Sequence, residues 1–126
     1  MAADCGADAV VISNHGGRVL DAAPVPILTL PTVVDAVGKR ITVIVDSGFR
    51  RGADVIKALA LGANAVMLGR APLHGVAAAG EAGALRALQI YRDEIDRVLA
   101  SLGCTRLDQL TREHVDMRYV PGGNNA

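Results

Sequence analysis

The chain has 126 residues and 51% of them are hydrophobic, so its size and composition predict one packed domain rather than a disordered segment. It contains no Trp, one Phe and two Tyr, so the core must be built mainly from aliphatic side chains. Because 13 basic residues balance 13 acidic ones, the formal net charge is zero, and the chain has no general electrostatic attraction for nucleic acid or an anionic membrane.

Three short apolar runs predict buried β-strands, at residues 9–12, 41–45 and 65–68. The runs are rich in β-branched residues and do not alternate between polar and apolar positions. This is typical of strands that are covered on both faces of a parallel sheet. We also expect Met67, in the third run, to belong to the core.

Two helices are predicted between these strands. The first covers residues 30–37, with Thr29 as its N-cap and Pro31 in its first turn. The second covers residues 53–61 and ends at Gly62. Each places apolar side chains on one face: Leu30, Val33, Val34 and Val37 in the first helix, and Val55, Ile56, Leu59 and Ala60 in the second.

A longer helix is predicted after the third strand, from residue 81 to residue 102, with Gly103 ending it. Its inward face is expected to carry Leu85, Leu88, Ile95, Val98, Leu99 and Leu102. Its charged side chains are expected to face water: Arg86, Arg92, Asp93, Glu94 and Arg97. Residues 121–126 are predicted to form a disordered tail, so the predicted domain covers residues 1–120.

The order of these elements indicates an α/β fold. A strand followed by a helix occurs three times, which predicts a parallel sheet with right-handed crossovers. Three such units cannot close an eight-stranded barrel, which typically needs about 250 residues. The chain is therefore either an open three-stranded sheet or part of a larger barrel, and we favour the second interpretation.

The residues that follow the first strand carry candidate catalytic groups, because ligands of parallel α/β folds bind at the carboxyl ends of the strands. This segment reads Ser13-Asn14-His15-Gly16-Gly17-Arg18. His15 is a candidate base, since imidazole titrates near physiological pH. The planar guanidinium of Arg18 suits a carboxylate. The alternative is a loop histidine that only hydrogen-bonds a backbone carbonyl.

The segments after the other two strands predict a phosphate site. The second strand is followed by Asp46-Ser47-Gly48-Phe49-Arg50-Arg51-Gly52, and the third by Gly69-Arg70. Small residues expose backbone N–H groups, arginines supply positive charge, and a helix N-terminus follows. The alternative is a solvated turn whose arginines pair with surface acids.

Other features predict a cytoplasmic protein without a metal site. Cys5 and Cys104 lie far apart in the sequence, which favours two free thiols in a reducing compartment. His74 and His114 have no neighbours at metal-ligand spacing, so we expect ordinary surface or packing roles for both. No apolar run approaches the roughly 20 residues of a membrane span, and the first residues do not resemble a signal peptide.

Taken together, the three motifs resemble the FMN-dependent 2-hydroxy-acid dehydrogenases and oxidases, a family that includes glycolate oxidase, lactate oxidase, lactate dehydrogenase, flavocytochrome b2 and mandelate dehydrogenase. The first motif, with Asp21 and Pro24, is the specific one, whereas the second and third also occur in other phosphate-binding barrels. The resemblance extends to about Val115. The Ser47-Gly48-Phe49 variant looks most like mandelate dehydrogenase-type members.

The resemblance implies a partial TIM (β/α)8 barrel, formed by strands 6–8 and the C-terminal helices. It implies oxidation of an L-2-hydroxy acid to the 2-oxo acid, with His15 as the base and Arg18 as the carboxylate clamp. The FMN phosphate would be held by Asp46, Ser47, Gly48, Phe49, Arg50, Gly69 and Arg70. It further implies oxygen, a quinone or a cytochrome as electron acceptor, homo-oligomeric full-length relatives, and possible peripheral membrane association of the full-length enzyme.

The family's N-terminal half supplies further groups, among them a Lys near the flavin and the Asp that orients the catalytic histidine, and these have no counterpart in this sequence. We therefore expect little activity and, because a sheet edge would be exposed, poor solubility of the chain alone. Two alternatives stay open. One is a non-catalytic half-barrel that binds FMN or another phosphate, and the other is an α/β unit that only pairs with a complementary half or with itself.

Overall fold

The three predicted strands form a parallel sheet in the computed structural model, which describes residues 1–117. They are β1 (Ala9–Ile12), β2 (Thr42–Val45) and β3 (Ala65–Val66), in the spatial order β1-β2-β3. The α/β prediction with a parallel sheet is confirmed. The third strand is two residues shorter than predicted, because its partner β2 ends at Val45 and the chain then turns away. The predicted tail at residues 121–126 lies outside the described residues.

Helix α1 (Pro26–Val37) joins β1 to β2 and begins four residues earlier than predicted. Pro26 occupies the first turn, where its fixed φ and missing N–H are tolerated. Thr29 is therefore inside the helix, and the prediction that it is the N-cap was wrong: its hydroxyl donates to the carbonyl of Pro26 at 3.0 Å. Leu30, on the inner face of α1, is completely buried.

Helix α2 (Gly52–Ala60) joins β2 to β3 and matches its prediction to within one residue at each end. Its inner face packs into a core shared with the sheet and α1, as its apolar spacing predicts. The buried members of this core are Leu30, Val43, Val45, Phe49, Val55, Ala58, Leu61, Ala63 and Tyr91. A smaller cluster of Ile56, Leu99 and Cys104 lies between α2 and the end of the third helix.

Helix α3 (Arg70–Ser101) begins eleven residues before the predicted start and is 32 residues long. It is broken at Ala79 and Gly80, where the φ of Gly80 is +58°, so the predicted helix corresponds to its second part. Leu85 and Leu88 were predicted to face inward, but they are 56% and 48% exposed. The buried side chains of α3 are Tyr91 and Leu99, both in its second part, while Ala71 in its first turn is partly buried against the core.

Two further predictions about burial were wrong. Met67 lies just beyond the end of β3 and is 49% exposed rather than part of the core, because no other element of residues 1–117 covers that side of the sheet. Glu94 was expected to face water, but its side chain is only 13% exposed and contacts the start of α2. Among the helices formed by residues 1–117, none has both the length and the apolar character needed to cross a bilayer.

Candidate active site

A cleft of about 1140 Å³ opens at the carboxyl ends of the three strands. The nine residues to which the resemblance gives a catalytic or binding role line it: His15, Arg18, Asp46, Ser47, Gly48, Phe49, Arg50, Gly69 and Arg70. The structure therefore brings together three loops that are distant in sequence, while the chemical roles of their residues stay predictions. His74 and Met67, which were predicted to have surface and core roles, also line the cleft.

The first two loops are held together by the residues that directly follow β1 and β2. The register pairs Ile12 with Val45, so the next residues, Ser13 and Asp46, lie side by side. The Ser13 hydroxyl donates to Asp46 Oδ2 at 2.6 Å and accepts the N–H of His15 at 3.1 Å. Ser13 thus fixes the backbone of the candidate base relative to Asp46, a role that its position at the strand end did not reveal.

Two non-glycine residues of the cleft have left-handed backbone conformations, His15 with φ +54° and Ser47 with φ +79°. Such conformations are unfavourable for residues with a Cβ and are found mainly where surrounding contacts enforce them, often at functional sites. Here the Ser47 hydroxyl accepts the N–H of Gly16 at 3.1 Å, which ties the two strained turns to each other. This hydrogen bond fixes the positions of the two turns relative to each other.

The third loop contacts the first through Arg70. A Cβ placed on Gly16 would lie 3.0 Å from the Nη2 atom of Arg70, so the guanidinium lies directly against the glycine backbone. Gly16 also has φ +69°, which favours glycine for a second, independent reason. The glycine therefore allows the arginine of the third loop to pack directly against the first loop.

Asp46 is the one acidic residue that lines the cleft within residues 1–117. Burial acts to raise the pKa of Asp46, but hydrogen bonds from Ser13 and Ser47 and the nearby positive charge of His15 outweigh it, so the pKa is held below its usual range. Asp46 is therefore a carboxylate at neutral pH, with its negative charge near the His15 imidazole. The sequence placed Asp46 in a phosphate-binding segment, and its electrostatic link to His15 is an addition from the structure.

Replacing Asp46 by Asn should lower the free energy of unfolding by about 1 kcal/mol at pH 6, since a charge-assisted hydrogen bond is lost. The pKa of Asp46 is lower in the folded state than in the unfolded chain. The carboxylate therefore stabilises the fold at pH values above the unfolded pKa of about 3.9, and this stabilisation is lost as the pH falls through the folded pKa. The difference between the two proteins should therefore shrink toward pH 2. Urea unfolding at both pH values measures it.

The control for this comparison is Asp93→Asn, which changes an exposed carboxylate on α3. It should leave the free energy of unfolding almost unchanged at pH 6. A difference between the Asp46 variant and the unmodified chain that stays constant from pH 6 to pH 2 would contradict the assignment.

The arginines divide into those of the cleft and those in ion pairs. Arg18, Arg50 and Arg70 are exposed in the cleft, and no carboxylate of residues 1–117 lies within 4.0 Å of their guanidinium groups. Arg51, which the sequence grouped with Arg50, instead pairs with Glu94 at 2.9 Å on the far side of the loop. Although the whole chain is neutral, the cleft is therefore positively charged and suited to an anion.

The backbone donors of the second loop are divided in a similar way. The N–H groups of Arg50 and Arg51 donate to Asp54 Oδ2 at 3.0 and 2.9 Å, so they do not point to a ligand as the sequence suggested. Within residues 1–117, the N–H groups of Gly48 and Phe49 have no hydrogen-bond partner. The side chain of Phe49 is buried in the core, so any contribution of this residue to a ligand site comes from its backbone.

The remaining sequence predictions concern thiols and metals. Cys5 and Cys104 are both free, as predicted, with Cys104 buried against His114 at an Sγ–Nε2 distance of 3.6 Å. His114 thus has a packing role, as predicted. Within residues 1–117, no group of three or more His, Cys, Asp or Glu side chains is arranged to hold a metal ion. The absence of a metal in the functional protein stays a prediction.

Comparisons with known proteins agree with the resemblance. A family model described as FMN-dependent dehydrogenase matches residues 1–117. The chain is 51% identical over 115 residues to (S)-mandelate dehydrogenase of Pseudomonas putida, covering 91% of this chain and 29% of that protein. It is 46% identical over 114 residues to a peroxisomal (S)-2-hydroxyacid oxidase of Arabidopsis thaliana, covering 90% of this chain and 31% of that protein.

Solved structures give the same result at the level of the fold. Flavocytochrome b2 with pyruvate bound superimposes with a TM-score of 0.89 at 38% identity, over 99% of this chain and 33% of that one. The chain thus spans about 30% of the length of the relatives that it matches. These relatives include a peroxisomal enzyme and a monotopic membrane protein, so the cytoplasmic location stays a prediction.

Proposed function

The chain belongs to the FMN-dependent dehydrogenase family, and from this premise we propose that it supplies the base, the carboxylate clamp and the flavin-phosphate site of an enzyme that oxidises a 2-hydroxy acid to the 2-oxo acid. The observation that carries the proposal is the single cleft that unites His15, Arg18 and the two phosphate-type loops. The chemistry of this site, rather than the fold alone, supports the assignment.

The donors of the cleft fit the phosphate end of FMN. Arg50 and Arg70 provide unpaired guanidinium groups, and Gly48 and Phe49 provide unpaired N–H groups within residues 1–117. No atom lies within 4 Å of the Cβ position of Gly48, so the backbone there is open to close approach. Charged and N–H donors in this arrangement suit a dianionic phosphate. When bound, FMN accepts the electron pair that the substrate loses.

The residues of the first loop have complementary roles toward the substrate. Arg18 would bind the substrate carboxylate and orient the α-carbon. A nitrogen of the His15 imidazole would take one of the two protons that the substrate loses when its alcohol becomes a carbonyl group. The electron pair and the second proton would pass to FMN. The negative charge of Asp46 favours the resulting imidazolium. Its own depressed pKa keeps Asp46 ionised while His15 is protonated.

We also propose that the three strand–helix units correspond to strands 6–8 of a TIM barrel. Barrels of this type place phosphate sites in the loops after their last two strands, which matches the positions of Arg50 and Arg70. Within residues 1–117, β1 and β3 each have one neighbouring strand, so both edges of the sheet can pair with further strands. Full activity accordingly requires the remaining units of the barrel, and residues 1–117 alone should turn over 2-hydroxy acids poorly or not at all.

A chimera tests this function directly. Residues 1–115 would replace the matching segment of Pseudomonas putida (S)-mandelate dehydrogenase, a relative with 51% identity over that length. The purified chimera should contain FMN and form a 2-oxo acid from mandelate, lactate or glycolate with a reducible dye present. A folded, flavin-containing chimera that oxidises none of these three acids would contradict the proposal.

A further inference from the structure

The loop between β2 and α2 is held in place by two residues of the second part of helix α3, neither of which lines the cleft. The hydroxyl of Tyr91 donates to the carbonyl of Phe49 at 2.9 Å. Tyr91 is only 5% exposed, so this bond lies in the core and competes little with water. The bond fixes the peptide that directly follows the unpaired N–H group of Phe49.

A second contact from α3 lies one turn further along the helix. Glu94 Oε2 accepts the N–H of Gly52 at 2.7 Å, while Oε1 pairs with Arg51 at 2.9 Å. The two elements touch here, since a Cβ on Gly52 would lie 2.6 Å from Glu94 Cβ and 2.7 Å from the N atom of Ile95. The glycine therefore permits a direct contact between the start of α2 and α3.

These contacts divide the loop into a tied half and a free half. On the tied side, Glu94 draws Arg51 and the N–H of Gly52 toward α3. On the free side, the N–H groups of Gly48 and Phe49 and the guanidinium of Arg50 remain at the cleft. Adjacent arginines thus point to opposite sides of the loop, and the groups on α3 account for that separation.

From this arrangement we infer that Tyr91 and Glu94 are positioning residues that set the affinity of the cleft for a phosphate monoester without touching it. The inference rests on the proposed function, because it assumes that the cleft binds the phosphate of FMN. Neither residue was identified from the sequence, where Tyr91 is one of two tyrosines and Glu94 is part of a charged helix face. Each acts through the backbone of the loop.

The hydroxyl of Tyr91 can donate its hydrogen bond to Phe49 over a wide range of pH. Burial raises the pKa of Tyr91, and the negative charges of Asp54 and Glu94 raise it further. The hydroxyl therefore stays protonated and keeps donating to Phe49 throughout the physiological range. Because the loop is already ordered before ligand arrives, less conformational entropy is lost on binding.

The test compares FMN with riboflavin, which has the same ring system without the phosphate. Both are titrated by calorimetry into the mandelate dehydrogenase chimera after its flavin has been removed, because the chimera supplies the other units of the barrel. Tyr91→Phe should raise the Kd for FMN about five- to tenfold, as expected for loss of one anchoring hydrogen bond. The Kd for riboflavin should stay within about twofold. The ratio of the riboflavin Kd to the FMN Kd should therefore fall.

Two further variants separate positioning from general stability. Glu94→Gln keeps an acceptor for Gly52 but loses the ion pair with Arg51, and should raise the Kd for FMN about two- to threefold. Leu99→Ala removes a buried side chain of the other core cluster and should destabilise the fold without changing the ratio. A ratio that falls equally in Leu99→Ala, or does not fall in Tyr91→Phe, overturns the inference. Failure of the parent chimera to bind FMN more tightly than riboflavin overturns the phosphate site itself and the inference with it.

Discussion

Replacing His15 by Gln should lower kcat of the mandelate dehydrogenase chimera by about 10²–10⁴-fold, the range that general-base catalysis supplies. Glutamine occupies a similar volume and keeps a polar end, but it does not accept a proton at neutral pH. His15 lies on the first loop, whereas the residues that would bind the phosphate lie on the second and third loops. The flavin content should therefore not change. Steady-state turnover, together with the flavin-to-protein absorbance ratio, measures both effects.

The matched control is His74→Gln, which changes the other histidine of the same cleft. His74 lies on the second turn of α3, one turn after Arg70, and has no proposed role in proton transfer. Its replacement should leave kcat within a few-fold of the parent chimera. Equal losses in the two variants, or a His15 variant that retains more than about one tenth of the parent kcat, would exclude His15 as the base.

The second large effect concerns flavin binding. The double replacement of Arg50 and Arg70 by Ala should weaken FMN binding by about 10²–10⁴-fold, since each charge-assisted contact contributes about 1.5–3 kcal/mol. The affinity for riboflavin should change little, because it lacks the phosphate. Isothermal titration of the chimera, stripped of flavin and reloaded, measures both ligands.

Two controls define the site of this effect. Arg86→Ala removes an exposed arginine of α3 that does not line the cleft, and it should leave the FMN affinity unchanged. His15→Ala should also leave it unchanged, because the base and the phosphate donors lie on different loops. If the double variant bound FMN as tightly as the parent chimera, the phosphate would have to bind elsewhere.

The strands and the residues that line the candidate cleft were predictable because both follow from short sequence signals. Continuous β-branched runs indicated parallel strands, and the rule that ligands bind at the carboxyl ends selected the three loops. Asp46 and His15, 31 positions apart in the sequence, could be assigned to one cleft because neighbouring parallel strands end together. In the structure, the last residues of β1 and β2, Ile12 and Val45, are paired in the sheet.

The contacts that were missed depend on tertiary packing. Glu94 reads as part of a solvated helix face, and only the crossing of α3 over the start of α2 makes it an acceptor for Gly52. Leu85 and Leu88 follow the apolar period of the helix, yet residues 1–117 contain no surface that covers them. Periodicity predicts which face of a helix is apolar, but not whether a partner is present to cover it.

The start of α1 was missed for a local reason. Thr29 has the chemistry of an N-cap, but Pro26 three residues earlier fits the first turn of a helix better. The hydroxyl of Thr29 then bonds back to the carbonyl of Pro26 within the same turn. Two plausible start signals compete in this segment, and spacing alone does not rank them.

Anaerobic addition of a 2-hydroxy acid to the flavin-loaded chimera is the most direct test of the proposed chemistry. We predict that the visible flavin absorbance bleaches within the turnover time for the parent chimera and for His74→Gln, and bleaches about 10²–10⁴ times more slowly for His15→Gln. Retention of the oxidised flavin spectrum by the parent chimera, with FMN bound and the acid in excess, would contradict the assignment of this chain to 2-hydroxy-acid oxidation.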